Sequence, residues 1–118
     1  IFPNRCEGGN NMVMCEYMAC GRTIIASDAT GHADVITPQN AFSLTSYSPT
    51  LINDTAGNPA AIWHEASVDE LIEQLELAYQ NRGICAQKGA VAANDMKQLA
   101  WDKAACEFHA IGVKLAAV

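Results

Sequence analysis

The sequence has no run of lysine or arginine, no long apolar stretch, and no clustering of its few histidines and cysteines. Each absence excludes something. With a net charge of −6 the chain repels a phosphate backbone, so nucleic-acid binding is not expected. No apolar run approaches the roughly 18 residues of a membrane helix, so no transmembrane segment is expected. No basic stretch followed by an apolar one stands at the start, so no secretory leader is expected either. The five cysteines (Cys6, Cys15, Cys20, Cys85 and Cys106) are odd in number and contain no CxxC pair. Reduced, buried thiols in a cytoplasmic protein are the expectation. His32, His64 and His109 lie far apart in sequence, so no structural metal and no cofactor is expected.

Half of the 118 residues are apolar, enough for a real core and one compact domain. The chain opens on Ile1-Phe2-Pro3 without an initiator Met, from which a missing start is expected. Ile1-Phe2-Pro3 reads as the tail of a strand that Pro3 ends, because proline donates no backbone hydrogen bond. A polar, glycine-bearing loop runs from Asn4 to Asn11. Met12 to Cys20 has helical spacing, with Met12, Cys15, Met18 and Ala19 on one face, Val13 and Tyr17 beside it, and Gly21 as the stop. Thr23 to Ala26 is β-branched and apolar, as a buried parallel strand should be. Thr30-Gly31 opens a short helix through Val35 or Ile36, and Ala41 to Leu44 is a further short strand.

Residues 46–66, rich in turn formers and carrying Pro49, Gly57 and Pro59, read as a long surface loop with room for a short strand at Leu51-Ile52. Residues 67–118 read as helices. Ser67 to Glu70 is a capping box, in which the Ser67 hydroxyl accepts from the Glu70 amide and the Glu70 carboxylate reaches back. Val68, Leu71, Ile72, Leu75 and Ala78 or Tyr79 then share a face. A second helix over Ile84–Lys97 is weakened by Gly89. A third, over Trp101–Leu115, sets Trp101, Ala104, Ala105, Phe108 and Ile111 on one side. The fold class is α/β: about three parallel strands flanked by helices, like the second half of a doubly wound domain.

The chemistry concentrates between residues 5 and 16. A strand ends, Gly8 and Gly9 turn the chain, and a helix begins at about Asn10 or Asn11. Ligands of open α/β sheets bind outside the carboxyl ends of the strands. A helix start there offers unpaired amides and the positive end of a dipole, which suits a diphosphate. Glu7 precedes the helix and Glu16 lies about five residues into it, about 7 Å along its axis. Ionised carboxylates accept strong hydrogen bonds from sugar hydroxyls. On spacing alone, an acid near a helix start and a solvated helix residue explain the same pattern. His109 reads as an ordinary helix residue, His64 as surface packing beside Trp63, and Trp63 and Trp101 as packing anchors.

Phe2-Pro3-Asn4-Arg5-Cys6-Glu7-Gly8-Gly9, Glu16-Tyr17-Met18-Ala19-Cys20-Gly21 and Ile24-Ile25-Ala26-Ser27-Asp28 together resemble the "P-S-x-x-E-G…E-A-M-A-C-G-x-P-V-I-A-S-D" stretch of family 4 retaining glycosyltransferases. The usual pattern leaves seven residues between its two glutamates, and here eight lie between Glu7 and Glu16. A Gly-Gly-(Thr/Asn)-Asn loop with one extra residue looks like a variant of the same motif. Thr30 to Ile36 stands where the family commonly has Gly-Gly-x-Pro-Glu and a hydrophobic residue. Leu99 to Ala105 is similar to the closing "f-s-W-e-x-x-A" helix. The motifs are specific through residue 36, suggestive from 67 to 109 and absent from 46 to 64.

The resemblance implies the C-terminal, donor-binding domain of a GT-B fold, of which this chain would be the second half of the Rossmann-like sheet. It implies transfer of a hexosyl group with retention, usually without a metal, from a nucleotide-sugar donor that is a substrate rather than a cofactor. Glu7 would contact the transferred sugar as the catalytic-site carboxylate. Glu16 would accept from the ribose hydroxyls, and Gly8, Gly9, Asn10, Asn11 and Met12 would hold the donor through the loop and its amides. The family's basic residues that grip the diphosphate have no match, and Arg5 is not assigned their role. His32 has no fixed role in the motif. The acceptor domain would be the missing N-terminal partner, so the chain alone is expected to be inactive. The alternatives are a free-standing binding module derived from such a domain, and an α/β module that oligomerises through an exposed sheet edge.

Overall fold

A computed structural model describes residues 1–116. The fold is mixed α/β. In chain order, helix α1 (Met12–Ala19) is followed by β1 (Ile25–Ser27), a 3-10 segment (Thr30–Asp34) and β2 (Phe42–Leu44). Then come β3 (Tyr47–Asn53), β4 (Pro59–Ala66), α2 (Val68–Gln80), α3 (Arg82–Met96), a 3-10 turn (Lys97–Leu99) and α4 (Trp101–Ala116).

β1 and β2 pair in parallel, Ile25 opposite Phe42 and Ser27 opposite Leu44. Phe2 adds a single parallel bridge to Ala26 on the other side, with its amide donating to Ile25 O at 2.8 Å and its carbonyl accepting from Ser27 N at 3.1 Å. The expected sheet of about three parallel strands is therefore two strands and one bridge. Pro3 stops the first line after its only pairing residue.

Helices flank both faces of this parallel pair, because strand residues alternate between faces. Ile24 and Ala26 pack with Met14 and Met18 of α1 and with Ala92 and Met96 of α3. Ile25, Phe42 and Leu44 pack on the opposite side against Leu71 and Ala78 of α2 and Cys85. α1 buries Met14 and Met18, whereas Met12, Val13 and Tyr17 are exposed, so the sequence-predicted face was displaced. A helix apolar nearly all round gives no periodicity from which to choose a face. Gly89 is no weak point in α3 but a contact: a Cβ there would stand 2.2 Å from Gly21 O. Lys88 ties α3 to the start of β2, donating to Ala41 O at 2.8 Å and to Pro38 O, with its ammonium 4.9 Å from the Phe42 ring centroid. Burial lowers its pKa from the ordinary value.

Residues 46–66 are not a loop. β3 and β4 form an antiparallel hairpin, with a register irregularity at Ile52–Asn53. The turn formers that suggested a loop build its tip instead. Asp54 accepts from the Ala56 and Asn58 amides, both at 2.8 Å, and Gly57 has φ 86°. Those bonds, the Asn58 amide first, hold the Asp54 carboxyl below the usual range. Pro49 and Pro59 are tolerated because a lone hairpin consists of edge strands.

Ser67 caps α2 as expected, accepting from Glu70 N at 3.3 Å. The reciprocal half of the box does not form. Ser67 N donates to Ser46 O at 2.9 Å, and the Glu70 carboxylate accepts from the Thr45 and Ser46 amides, each at 2.9 Å, and from the Thr45 hydroxyl at 3.0 Å. Glu70 thus fastens α2 to the root of the hairpin.

α4 buries no residue. Trp101, Phe108, Ile111 and Leu115 are exposed, as are Val68, Ile72, Leu75 and Tyr79 on α2. The apolar face expected on α4 is uncovered, and that on α2 is covered only at Leu71 and Ala78. The radius of gyration, 17.6 Å, reflects this. A compact domain of this length has about 13–14 Å. Among the described residues, no helix is long and apolar enough to cross a membrane.

Candidate functional site

The loop from Asn4 to Asn11 lies at the carboxyl end of the Phe2–β1 bridge, where an open α/β sheet places its ligands. The segment after β1 clamps it. Glu7 N donates to Thr30 Oγ1 at 2.9 Å, and Gly31 N donates to Glu7 O at 3.2 Å. Thr30 has φ 52°, uncommon for a β-branched residue. Gly31 is required by space: a Cβ on it would lie 1.5 Å from Gly9 O. The loop carrying Glu7 and the turn after β1 are therefore in backbone contact, and that contact sets where the Glu7 side chain starts.

The Glu7 carboxylate accepts from Asn4 Nδ2 at 3.0 Å and from Gly9 N at 3.4 Å. It is about three-quarters buried, with 24% of its side chain accessible. Asn11, with φ 44°, caps α1 and accepts from Met14 N at 3.2 Å. This moves the helix start one residue beyond the expected Asn10 or Asn11: both precede the first turn, and Met12 opens it. Among the described residues, the amides of Asn10, Asn11, Met12 and Val13 have no hydrogen-bond acceptor. Unpaired amides at a helix start are donors of the kind an anion can accept from. Among the described residues, chain neighbours aside, nothing stands within 4 Å of where a Cβ on Gly8 or Gly9 would be.

Two open clefts meet beside this helix start. One, about 500 Å³, is lined by Glu7, Gly8, Gly9, Asn10, Gly31 and Asp34 among others. The other, about 570 Å³, is lined by Asn10, Met12, Cys15 and Glu16 together with Leu99 and Trp101. Asn10 and Leu99 border both. Of the seven sequence-predicted site residues, Glu7, Gly8, Gly9 and Asn10 line one cleft, Asn10, Met12 and Glu16 line the other, and Asn11 lines neither but caps the helix. Glu7 lines one cleft and Glu16 the other.

Other side chains are accounted for elsewhere. Arg5 pairs with Glu65 at 2.9 Å and stacks on the Trp63 ring at 5.2 Å, so it fastens β4 to the loop. His64 packs edge-on against Tyr47, and His109 is exposed. The Tyr47 hydroxyl donates to Leu44 O, and burial pushes its pKa up to about 12. Burial likewise raises the Cys15 thiol, which donates to Asn10 O at 3.0 Å. Cys15 is therefore a protonated strut between helix and loop rather than a nucleophile. Among the described residues, no three His, Cys, Asp or Glu side chains come together as metal ligands.

Sequence reasoning passed over two residues of this region. His32 is fully buried, with Nε2 3.1 Å from Asn11 Nδ2 and 4.0 Å from Glu7 Oε2. A histidine five residues beyond a short strand carried no signal without the fold. Trp101, expected as a packing anchor, is 87% exposed and borders the cleft that carries Glu16. Comparisons with protein-family models, with curated proteins and with solved structures find no significant match.

Proposed function

We propose that the chain is the donor-binding part of a retaining glycosyltransferase, holding a nucleotide-sugar whose hexosyl group passes to an acceptor bound by another domain. On this reading the chain corresponds to the second half of the Rossmann-like, C-terminal domain of a GT-B fold, and the segment from Phe2 to β2 is the surviving edge of its sheet. The observation that carries the reading is the pair of clefts that share Asn10 and Leu99 beside a helix start with unpaired amides, one lined by Glu7 and Asp34 and the other by Glu16 and Glu107. A diphosphate between the clefts would meet those amides, which stabilise charge on a leaving group because they are already fixed. The sugar would lie toward Glu7 and the ribose toward Glu16, each offering hydroxyls to a carboxylate. The base would then fall beside Leu99 and Trp101. No metal is required, and a reducing, cytoplasmic setting fits the five unpaired thiols.

On this reading the acceptor is bound by another domain, so the isolated chain is proposed to bind donor without turning it over. Calorimetric titration with UDP, GDP and ADP tests the reading. Binding of one nucleotide is expected, weakened by about 1–3 kcal/mol in Glu16→Ala. A folded chain that binds none of the three overturns it.

A second reading is favoured by one observation, the exposed apolar residues Val68, Ile72, Leu75 and Tyr79 on α2 and Trp101, Phe108, Ile111 and Leu115 on α4. A non-catalytic module of the same ancestry would cover them by pairing with itself, through these helices or through the sheet edge at Phe2. Sedimentation separates the two: this reading expects a stable homo-oligomer without nucleotide affinity.

A further inference from the structure

We propose that His32 is a positioning residue of the groove, its imidazole carrying the proton on Nδ1, where it fixes the Asn11 carboxamide and the open helix start while leaving Glu7 without an ion pair. The proposal rests on the donor-site reading for its ligand, but not for its geometry.

His32 is 0% exposed, so both of its ring nitrogens must find partners within the protein. Nδ1 lies 3.3 Å from Ser27 O. A carbonyl only accepts, so Nδ1 carries the hydrogen. Nε2 lies 3.1 Å from Asn11 Nδ2. The other end of that carboxamide is committed, because Asn11 Oδ1 accepts from Met14 N at 3.2 Å. Asn11 therefore presents its NH₂ to the ring, and Nε2 accepts. Each link fixes the next. Met14 N sets the orientation of Asn11, Asn11 sets the tautomer of His32, and Ser27 O at the end of β1 anchors the ring.

Two consequences follow for the groove. The Asn11 backbone is left-handed, at φ 44° and ψ 84°, and the free amides on either side of it point where that conformation sends them. Asparagine tolerates this region but does not require it. The buried bond to His32 holds the residue there. The second consequence concerns charge. Glu7 Oε2 stands 4.0 Å from Nε2 and faces a lone pair rather than an N–H. An N–H at that position would draw the carboxylate inward. With the proton on Nδ1, Glu7 keeps only Asn4 Nδ2 and Gly9 N as donors and retains capacity to accept from a ligand hydroxyl.

Two measurements test this. The first needs no ligand: ¹⁵N spectra of the histidine-labelled chain at neutral to mildly basic pH should show Nδ1 protonated and Nε2 with a free lone pair accepting a hydrogen bond. A proton on Nε2 overturns the proposal whatever the chain binds. The second is calorimetry with UDP-glucose, GDP-mannose and ADP-glucose on wild type, His32→Gln and His32→Asn, each shown to be folded by thermal unfolding. Glutamine places an acceptor near the position of Nε2, whereas asparagine replaces only Nδ1. Affinity within about threefold of wild type is expected for His32→Gln, and a loss of about tenfold, or about 1.4 kcal/mol, for His32→Asn. Equal affinities in the two variants overturn the positioning role. Failure of wild type to bind any of the three counts against the donor reading, and the tautomer then decides the proposal alone.

Discussion

Gly31 and Gly9 touch backbone to backbone: a Cβ on Gly31 would stand 1.5 Å from the Gly9 carbonyl oxygen and 2.6 Å from its carbon. This contact presses the turn after β1 against the loop that carries Glu7. Gly31→Ala must push that loop away. Overpacking of this kind costs about 1–3 kcal/mol, read by chemical denaturation. Nucleotide affinity should fall as well, because the Glu7 loop and the helix start move together. A Gly31→Ala chain with unchanged stability would show that the loop yields freely.

Alanine at three other glycines should have opposite signs. Gly89 meets Gly21 O, where a Cβ would stand at 2.2 Å, so Gly89→Ala is expected to destabilise by about 1–3 kcal/mol despite the better helix propensity of alanine. At Gly112 and Gly83 a Cβ meets nothing within 4 Å among the described residues beyond the local helix backbone. There the substitution should stabilise by about 0.5–1 kcal/mol, through the backbone entropy that glycine loses on folding. Urea midpoints of the three variants check the signs.

Glu70 makes stability depend on pH. Burial works against its charge, but the Ser46 and Thr45 amides and the Thr45 hydroxyl outweigh that and hold the carboxyl below its ordinary value of 4.5. A carboxyl depressed in the folded state contributes stability that is fully present above its unfolded pKa and is lost as pH falls through the folded one. Glu70→Ala should therefore destabilise by about 1 kcal/mol near neutral pH, a figure discounted for the exposure of the site. The gap to wild type should close below about pH 4. A gap that stays constant down to pH 3 would assign the loss to packing instead.

Trp101 is 87% exposed, so Trp101→Ala should change stability by no more than about 0.5 kcal/mol. If the base of a donor stacks there, nucleotide affinity falls by about 1–3 kcal/mol in the same variant. Undiminished affinity would move the base elsewhere while leaving Glu16 in place.

How much of this was legible varied with what each segment packs against. The capping residue Ser67, the strand at Phe42–Leu44 and the helix–glycine boundary at Gly21 were readable because local chemistry alone decides them. The hairpin was not. Its strands carry Pro49, Asn53 and Pro59 and few alternating apolar residues, since both faces are largely solvated and no core imposes a period. Glu70 followed the rule of a capping box in sequence and broke it in space, because a tertiary partner at Thr45 and Ser46 offers three donors where the helix offers one. In the site, the order Glu7, glycines, helix, Glu16 was visible as spacing. The links that hold it, Gly31 to Gly9 and His32 to Asn11, join residues more than twenty positions apart and exist only once β1 has been laid beside Phe2.

The central claim, that the groove between Glu7 and Glu16 binds a nucleotide-sugar, is tested most directly by calorimetry of the chain with UDP, GDP and ADP, repeated on Glu16→Ala. The account predicts that one nucleotide binds and that its affinity falls by about 1–3 kcal/mol in the variant. Absence of binding to a folded chain, or binding that Glu16→Ala leaves intact, would contradict it.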